Sequence, residues 1–282
     1  MRVSIFDQYG ALNSPPVFAA VRAGLDSLGI KHNSMDSSAD VAVIWSQLWH
    51  GRMYKNKQVW DEYRNTNRSV IVLEVGMLQR GNTWKLGLNG VNNTAYPWAN
   101  HHDDSRANQL GLELKPWTNS GDNIIVCTQR TDSEQWLGQS ELNQWIIDTV
   151  STIKQFSDRK VLVRPHPRFI PKKLPSTINI QLPRSILGTY DSFDFANGIL
   201  DAWAVVNHNS GPGTQAILNG VPAFVGTTSL ASPVANFDLA DIEKPLRPER
   251  QQWLNDLAYT EWTIKEIAQG TALESVLYVA IK

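Results

Sequence analysis

The sequence predicts an α/β protein made of two doubly wound halves, and three observations carry that prediction. Residues Trp203 to Val225 read as strand, glycine turn, helix and strand, the repeating unit of a parallel sheet. The N-terminal stretch up to Gly76 alternates apolar runs with helical spacing in the order β-α-β-α-β, the start of a doubly wound domain. Between these, Asn119-Ser120-Gly121-Asp122 is a polar, glycine-containing link just before a second series of strands. The expected division is 1–118 as an acceptor-binding half and 122–247 as a nucleotide-sugar-binding half, facing each other across a cleft. Residues 248–282 follow as helices packing back on the first half.

Taken in order, Arg2 to Phe6 is a strand ending at Asp7. Ser14 caps a helix whose first turn holds Pro15 and Pro16, and Val17, Val21, Leu25 and Leu28 recur on one face before Gly29 ends it. Val41 to Trp45 is a buried strand, Met53 to Asn65 a helix, and Ser69 to Leu73 a strand running into Glu74-Val75-Gly76. Met77 to Thr118 mixes Gly, Asn, Trp and charges without periodicity, the pattern of functional loops. Beyond the link come strands at Ile124 to Thr128, Lys160 to Arg164 and Ile178 to Leu182, with a helical region from Glu134 to Phe156. Asp191 to Leu200 leads into the stretch at Trp203, and Pro248 to Lys282 carries Leu254, Leu257, Trp262, Ile264 and Ile267 at helical spacing.

Composition narrows the function classes. With 42% hydrophobic and 19% charged residues, the 282-residue chain can bury real cores. A net charge of −1 supplies no global basic field for nucleic acid or anionic membrane, while leaving room for a local groove. The single cysteine, Cys127, lies in an apolar strand and cannot form a disulfide within the chain, which fits a reducing cytoplasm. The first residues read as a strand rather than a signal peptide, and no apolar run approaches the ~20 residues of a membrane span.

Chemistry concentrates at strand ends, where ligands of open parallel sheets collect. The turn Ser210-Gly211-Pro212-Gly213-Thr214 opens a helix, so its backbone N–H groups and two hydroxyls suit a phosphate. Arg164-Pro165-His166-Pro167-Arg168 ends another strand with cations around a histidine. Two carboxylates at strand ends, Glu74 and Asp7, compete as proton acceptors. His101-His102-Asp103-Asp104 holds the metal-binding residue types, but neighbours on one loop seldom converge on one ion, and no metal is expected.

Leu73-Glu74-Val75-Gly76, Pro165-His166-Pro167 and Asn209-Ser210-Gly211-Pro212-Gly213-Thr214 together resemble the acid-acid-Gly, His-Pro and Ser-Ser/Thr motifs of bacterial sialyltransferases and capsule-polysaccharide glycosyltransferases of the GT-B fold. Trp253-Leu254 and Glu261-Trp262-Thr263 look like their C-terminal helices. The resemblance runs in motif order over roughly residues 70 to 270, and it departs at Val75, where a second acid is usual. It implies two Rossmann-like domains and a metal-independent transfer of sugar from a nucleotide sugar, UDP- or CMP-linked, that serves as co-substrate with no cofactor. Glu74, or its rival Asp7, would take the acceptor proton. Arg164, His166, Arg168, Asn209, Ser210, Gly211, Gly213 and Thr214 would meet the donor phosphates. Gln129 and Arg130, at the end of the first strand of the second half, would reach the phosphates or base, unless Arg130 is simply a solvated charge. His208 either contacts the nucleotide or is a buried, satisfied histidine.

The acceptor is read from Arg80 to Gly90, where Arg80 and Lys85 surround Trp84, with Gln8 as a further contact from the first strand end. This loop resembles those of bacteriophage glycosyltransferases acting on hydroxymethylated pyrimidines such as hydroxymethylcytosine in DNA, which implies base flipping and a host-cytoplasmic enzyme. A capsule or lipopolysaccharide glycan fits the same three motifs, and so does a non-catalytic nucleotide- or sugar-binding module, for which Val75 is the argument. The oligomeric state stays open.

Overall fold

The computed structural model describes residues 1–188, 193–199 and 201–280; part of the expected Asp191 to Leu200 segment and the end of the last helical stretch lie outside them. In chain order the strands are β1 Arg2–Ile5, β2 Lys31–Ser34, β3 Val41–Trp45, β4 Ser69–Val75, β5 Thr83–Leu88, β6 Asn123–Cys127, β7 Lys160–Arg164, β8 Asn179–Ile180, β9 Ala202–Asn207, β10 Ala223–Val225 and β11 Glu261–Thr263. The helices are α1 Pro15–Ser27, α2 Asn56–Asn65, α3 Ser105–Gln109, α4 Leu142–Phe156, α5 Phe195–Gly198, α6 Gly211–Leu218, α7 Gln251–Leu257, α8 Ile264–Ala268 and α9 Thr271–Ala280.

The chain divides into two compact units, one of Met1–Leu112, Asp132–Gln135 and Asn255–Lys282, the other of Glu113–Thr131 and Trp136–Leu254. The passage therefore falls at Leu112, ahead of the polar link at 119–122. The reason is backbone pairing: Lys115 and Thr118 donate to the carbonyls of Leu218 and Gly220 at 3.0 and 2.7 Å, which ties residues 113–118 to the second unit. Asp132–Gln135 belongs to the first unit because Trp49 donates to Asp132 O at 2.8 Å and Glu134 to Gln47 O at 3.0 Å. The return falls inside α7, between Leu254 and Asn255, later than a boundary at 248.

The first unit is a six-stranded sheet in the order β11-β5-β4-β3-β1-β2. β2, β1, β3 and β4 are parallel, and β5 and β11 are antiparallel to their neighbours. All five residues of β3 are buried, as a central strand covered on both faces requires. Helix α1 buries Val17, Val21 and Leu25 against β1 and β3 and against Ile267, Leu273 and Val276 of α8 and α9. A Cβ at Gly24 would lie 2.1 Å from Ile267 O, so α1 and α8 approach as closely as only glycine allows. Ser14 precedes α1 but its hydroxyl donates back to Ala11 O at 2.8 Å and caps no helical N–H.

One strand was not foreseen here, and two expectations fail. Lys31–Ser34, read as nothing in particular, is the edge strand β2; it is polar because an edge strand with exposed side chains needs no apolar signal. Arg80 to Gly90, read as an acceptor loop, contains the strand β5, whose Trp84 sits opposite Val75 on one side and Trp262 on the other. Glu261-Trp262-Thr263 is likewise a strand rather than a helix.

The second unit is a five-stranded parallel sheet in the order β10-β9-β6-β7-β8. Its core joins Ile124, Val126, Val163, Ala204 and Val206 to Ile146 and Ile153 of α4. The helical region begun at Glu134 is broken: Glu134–Trp136 is a 3-10 turn, and α4 starts at Leu142 with the Glu141 carboxylate accepting from Asn143 N and Gln144 N. Cys127 is buried, and that burial, partly countered by Arg164, pushes its thiol up to about 12. Among the described residues no helix is long and apolar enough to cross a membrane.

Candidate active site

In the second unit the adjacent strands β10, β9, β6 and β7 run parallel, so their carboxyl ends open onto one side of the sheet. At the end of β9, Ser210 is extended at the N-cap of α6, and no side chain caps the helix. First-turn N–H groups have no intrahelical partner, so those of Gly211 and Gly213 are presented with the positive end of the helix dipole. Gly213 is there for space: a Cβ would lie 2.5 Å from Asn207 Oδ1 and 2.7 Å from Val225 Cγ1. Asn207 in turn holds the turn from below, its Nδ2 donating to Ser210 O at 2.9 Å.

His166 ends β7 in a tight turn. Its N–H donates to Thr128 Oγ1 at 3.0 Å, its carbonyl accepts from Phe169 N at 2.9 Å, and its Nδ1 accepts from Arg168 N at 3.1 Å. An accepting Nδ1 places the proton of the neutral ring on Nε2, which is then a donor. Arg168 is exposed and Arg130 half-buried, its guanidinium 5.8 Å from the Phe169 ring.

Two predicted donor residues have other work. Arg164 is 4% exposed and its guanidinium is bound to Asp194. Burial opposes the charge on Asp194, but the Arg184 N–H and Arg164 outweigh it and hold the carboxyl below its usual range. Gln129, 5% exposed, braces one strand end against the next: its Nε2 donates to Asn209 Oδ1 at 2.8 Å and its Oε1 accepts from Asn209 N at 3.2 Å. Both are paired within the fold, as a strand-end side chain that turns inward must pair its polar atoms. Asn209 extends the brace to Thr228, donating to its hydroxyl at 3.0 Å. His208 stands edge-on to Trp136 with ring centroids 5.5 Å apart, and its carbonyl accepts from Gly226 N at 2.6 Å.

In the first unit Glu74 is half-buried at the end of β4. Ser46 Oγ donates to Glu74 Oε2 at 2.6 Å, and Val75 N donates to Oε1 at 2.8 Å. Ser46 follows β3 with φ of 63°, a left-handed conformation that a serine adopts at a cost; it aims the hydroxyl across to Glu74. Asp7, the rival, is bound to the Arg22 guanidinium, which also donates to Ser34 Oγ at 3.0 Å. Asp7 is thus occupied by a guanidinium, whereas Glu74 is met by a hydroxyl and a backbone N–H. Gln8 is exposed in the 3-10 turn Asp7–Tyr9. Trp84 and Lys85 belong to β5, Lys85 directly opposite Glu74 in the ladder, and Arg80 lies exposed on the connection before it.

The His101 to Asp104 run disperses: the His102 ring stacks on Tyr259 at 3.5 Å, and Asp103 accepts from Ser105. No group of three or more His, Cys, Asp or Glu side chains is placed to hold a metal among the described residues.

Sequence reasoning passed over three contributors. Ser46 shows only as the first polar residue after an apolar run. Gly226-Thr227-Thr228-Ser229 ends β10 with the same glycine-hydroxyl signature as the β9 turn and could have been found by it. Tyr96 is buried with a hydroxyl that has no hydrogen-bond partner among the described residues; burial, then the charges of Glu261 and Glu74, holds its phenol well above the usual range.

No family model and no curated protein sequence matches the chain. Solved structures do. Thermosulfurimonas dismutans KpsC, β-Kdo 2,4 transferase, superposes with a TM-score of 0.57 at 12% identity, over 95% of this chain and 98% of that one. The β-Kdo 2,7 transferase of the same KpsC gives 0.51 at 13% identity, over 97% and 100%. The chain shares the fold of these two structures. At this identity the likeness is one of architecture: Rossmann-like α/β sheets, similar to those of GT-B glycosyltransferase structures.

Proposed function

We propose that the protein is a glycosyltransferase that moves a sugar from a nucleotide-sugar donor to a glycan hydroxyl. The observation that carries this reading is the row of parallel strand ends in the second unit, where the uncapped N-terminus of α6 follows β9 and the Nε2 donor of His166 follows β7, the two strands that flank β6 in one sheet. Such a row suits a phosphate that gains negative charge as it leaves.

Two roles are needed, and each unit carries residues suited to one of them. Glu74 accepts the proton of the acceptor hydroxyl, whose oxygen forms the new bond to the anomeric carbon. The bond from that carbon to the donor phosphate breaks, and the nucleotide departs with the electron pair. Backbone N–H groups of α6, the Ser210 and Thr214 hydroxyls and His166 take up the charge, with Arg168 and Arg130 as cations nearby. As drawn, no bound metal takes part.

A glycan is the better acceptor because Thr83–Leu88 is a strand within the expected acceptor loop, and Trp84 is half-buried and packed against the core of its sheet rather than open for stacking. The KpsC neighbours are named for Kdo transfer, which makes Kdo the first sugar to try. Catalysis is favoured over a binding module by the Ser46–Glu74 pair, which orients a carboxylate despite Val75.

The test is incubation with CMP- and UDP-linked sugars, CMP-linked Kdo first, against oligosaccharide acceptors and against hydroxymethylcytosine-containing duplex DNA, read by mass spectrometry. A mass gain on an oligosaccharide is expected. Gain on the duplex alone would overturn the acceptor, and nucleotide binding without transfer to any acceptor would leave the binding module.

A further inference from the structure

The turn after Glu74 is held by a carboxylate from the far end of the chain. Glu261, the first residue of β11, is 0% exposed. Its Oε1 accepts from Met77 N at 2.8 Å; its Oε2 accepts from Leu78 N at 3.0 Å and from Thr83 Oγ1 at 2.7 Å. The adjoining N–H groups are also paired, Gly76 N with Thr83 O at 3.1 Å and Gln79 N with Thr83 Oγ1 at 3.3 Å. Gly76 follows from this arrangement. A Cβ there would lie 2.5 Å from Glu261 Oε2 and 2.3 Å from Thr83 O, so the glycine admits the carboxylate to the backbone.

Burying a carboxylate is costly unless every oxygen is met by donors. A hairpin connection can be closed by neutral groups at no such cost, so the charge has a use that closure alone does not explain. Charge-assisted bonds are shorter and more directional than neutral ones, and two of these act on the backbone within four residues of Glu74. The clamp is itself fixed: Glu261 pairs with Lys85 across β11 and β5, and Arg106 Nη2 donates to its carbonyl at 2.6 Å. Lys85 is also the partner of Glu74 across β4 and β5. One residue of β5 thus registers both acids.

We infer that Glu261 is a positioning residue for Glu74, fixing the backbone that follows the base so that its carboxylate keeps its aim. The inference rests on the proton-accepting role of Glu74 given above. It also ties the C-terminal β11 to the reaction without placing it on the substrate.

The experiment measures kcat, donor KM, nucleotide affinity by calorimetry and thermal midpoint for Glu261→Gln, Thr83→Val, Thr83→Ser and Glu74→Gln. A glutamine at 261 turns an NH2 toward backbone N–H groups and loses at least one bond. Expected are a kcat about tenfold or more lower in Glu261→Gln and several-fold lower in Thr83→Val, with nucleotide affinity and donor KM unchanged, and rescue by Thr83→Ser, which keeps the hydroxyl. Should Glu261→Gln fail to fold, the Thr83 pair decides alone. Wild-type kcat in folded Glu261→Gln and Thr83→Val, with Glu74→Gln inactive, would overturn the positioning role and leave the base intact. Losses that track the folded fraction in kcat and nucleotide affinity alike would reduce Glu261 to a structural residue. Full activity in Glu74→Gln would remove the base, and this inference with it.

Discussion

In the first unit the strands end on acids and their internal partners; in the second they end on backbone donors, hydroxyls and histidines. Glu74, Asp7 and Glu261 are all held by donors of their own unit: Ser46 and Val75, Arg22, and the Met77–Leu78 turn with Thr83. The α6 turn is the reverse case, with Gln129, Asn207 and Asn209 bracing it from behind while no side chain caps its first turn. Under the proposed function the difference separates two tasks. A base must be aimed, and every contact that aims it is made within the fold. An anion site must be left short of acceptors, and the anion completes it. Both rely on glycine for proximity rather than for an unusual backbone: Gly76 admits Glu261, and Gly213 admits Asn207 and Val225.

The sharpest break of this comparison removes the proton acceptor and leaves the anion site alone. Glu74→Gln is nearly isosteric and cannot accept a proton, so transfer should fall about 10²–10⁴-fold with nucleotide affinity unchanged. Asp7→Asn, which only loosens a surface-lying pair with Arg22, should leave the rate within about threefold, the scale of an exposed salt bridge. Initial rates and calorimetry on both variants decide it; the opposite ranking would transfer the role to Asp7.

The converse break acts on the second unit. His166→Ala removes one donor to the phosphate, and a charge-assisted bond of roughly 1.5–3 kcal/mol corresponds to a loss of nucleotide affinity of about tenfold or more. Arg164→Ala should behave differently, because its guanidinium is buried and bound to Asp194, whose carboxylate is 29% exposed: losing the charge-assisted bond costs about 1.5–3 kcal/mol of stability. It should thus lower the thermal midpoint first and affinity only through folding. A folded Arg164→Ala with weakened nucleotide binding at full stability would return Arg164 to the ligand.

These variants also mark what the sequence could and could not reveal. Motifs whose residues are neighbours in the chain were legible: the β9 turn and the His166 turn are each written within a few residues, and parallel sheets place such turns at one end by topology. Elements marked by apolar runs, such as β3, β6 and β9, were legible for the same local reason. Trp84 was misread because glycines and asparagines flank a strand whose apolar partners, Val75 and Trp262, lie on other strands. β2 was invisible because an exposed edge has no core to declare. Arg164 looked like a ligand because the sequence holds no hint that Asp194 meets it thirty residues on. Glu261 is the extreme case, its partners Met77 and Leu78 lying 184 and 183 residues away.

The smallest expected effect concerns how the C-terminal segment that carries Glu261 responds to acid. Glu266 opens α8 in a capping box with Thr263 and is bound to Arg106. Burial works against its charge, but Arg106 and the Thr263 N–H and hydroxyl outweigh burial and hold the carboxyl below its usual range. A carboxyl whose folded pKa lies below its unfolded value stabilises the fold above the unfolded pKa, and loses that contribution as pH falls through the folded one. Acidification from neutrality should therefore change little until the pH passes below about 4.5, the ordinary value for Glu, and then loosen α8. Arg106 also donates to Glu261 O, so the loosening should reach β11 and the turn after Glu74. Amide exchange at Glu266 and at Met77 and Leu78, followed down the pH scale and corrected for intrinsic rates, should rise together in the wild type. In Glu266→Gln the acid-dependent step should be absent at all three amides. Exchange at Met77 and Leu78 that rises while Glu266 stays protected would sever the C-terminal segment from the base's turn.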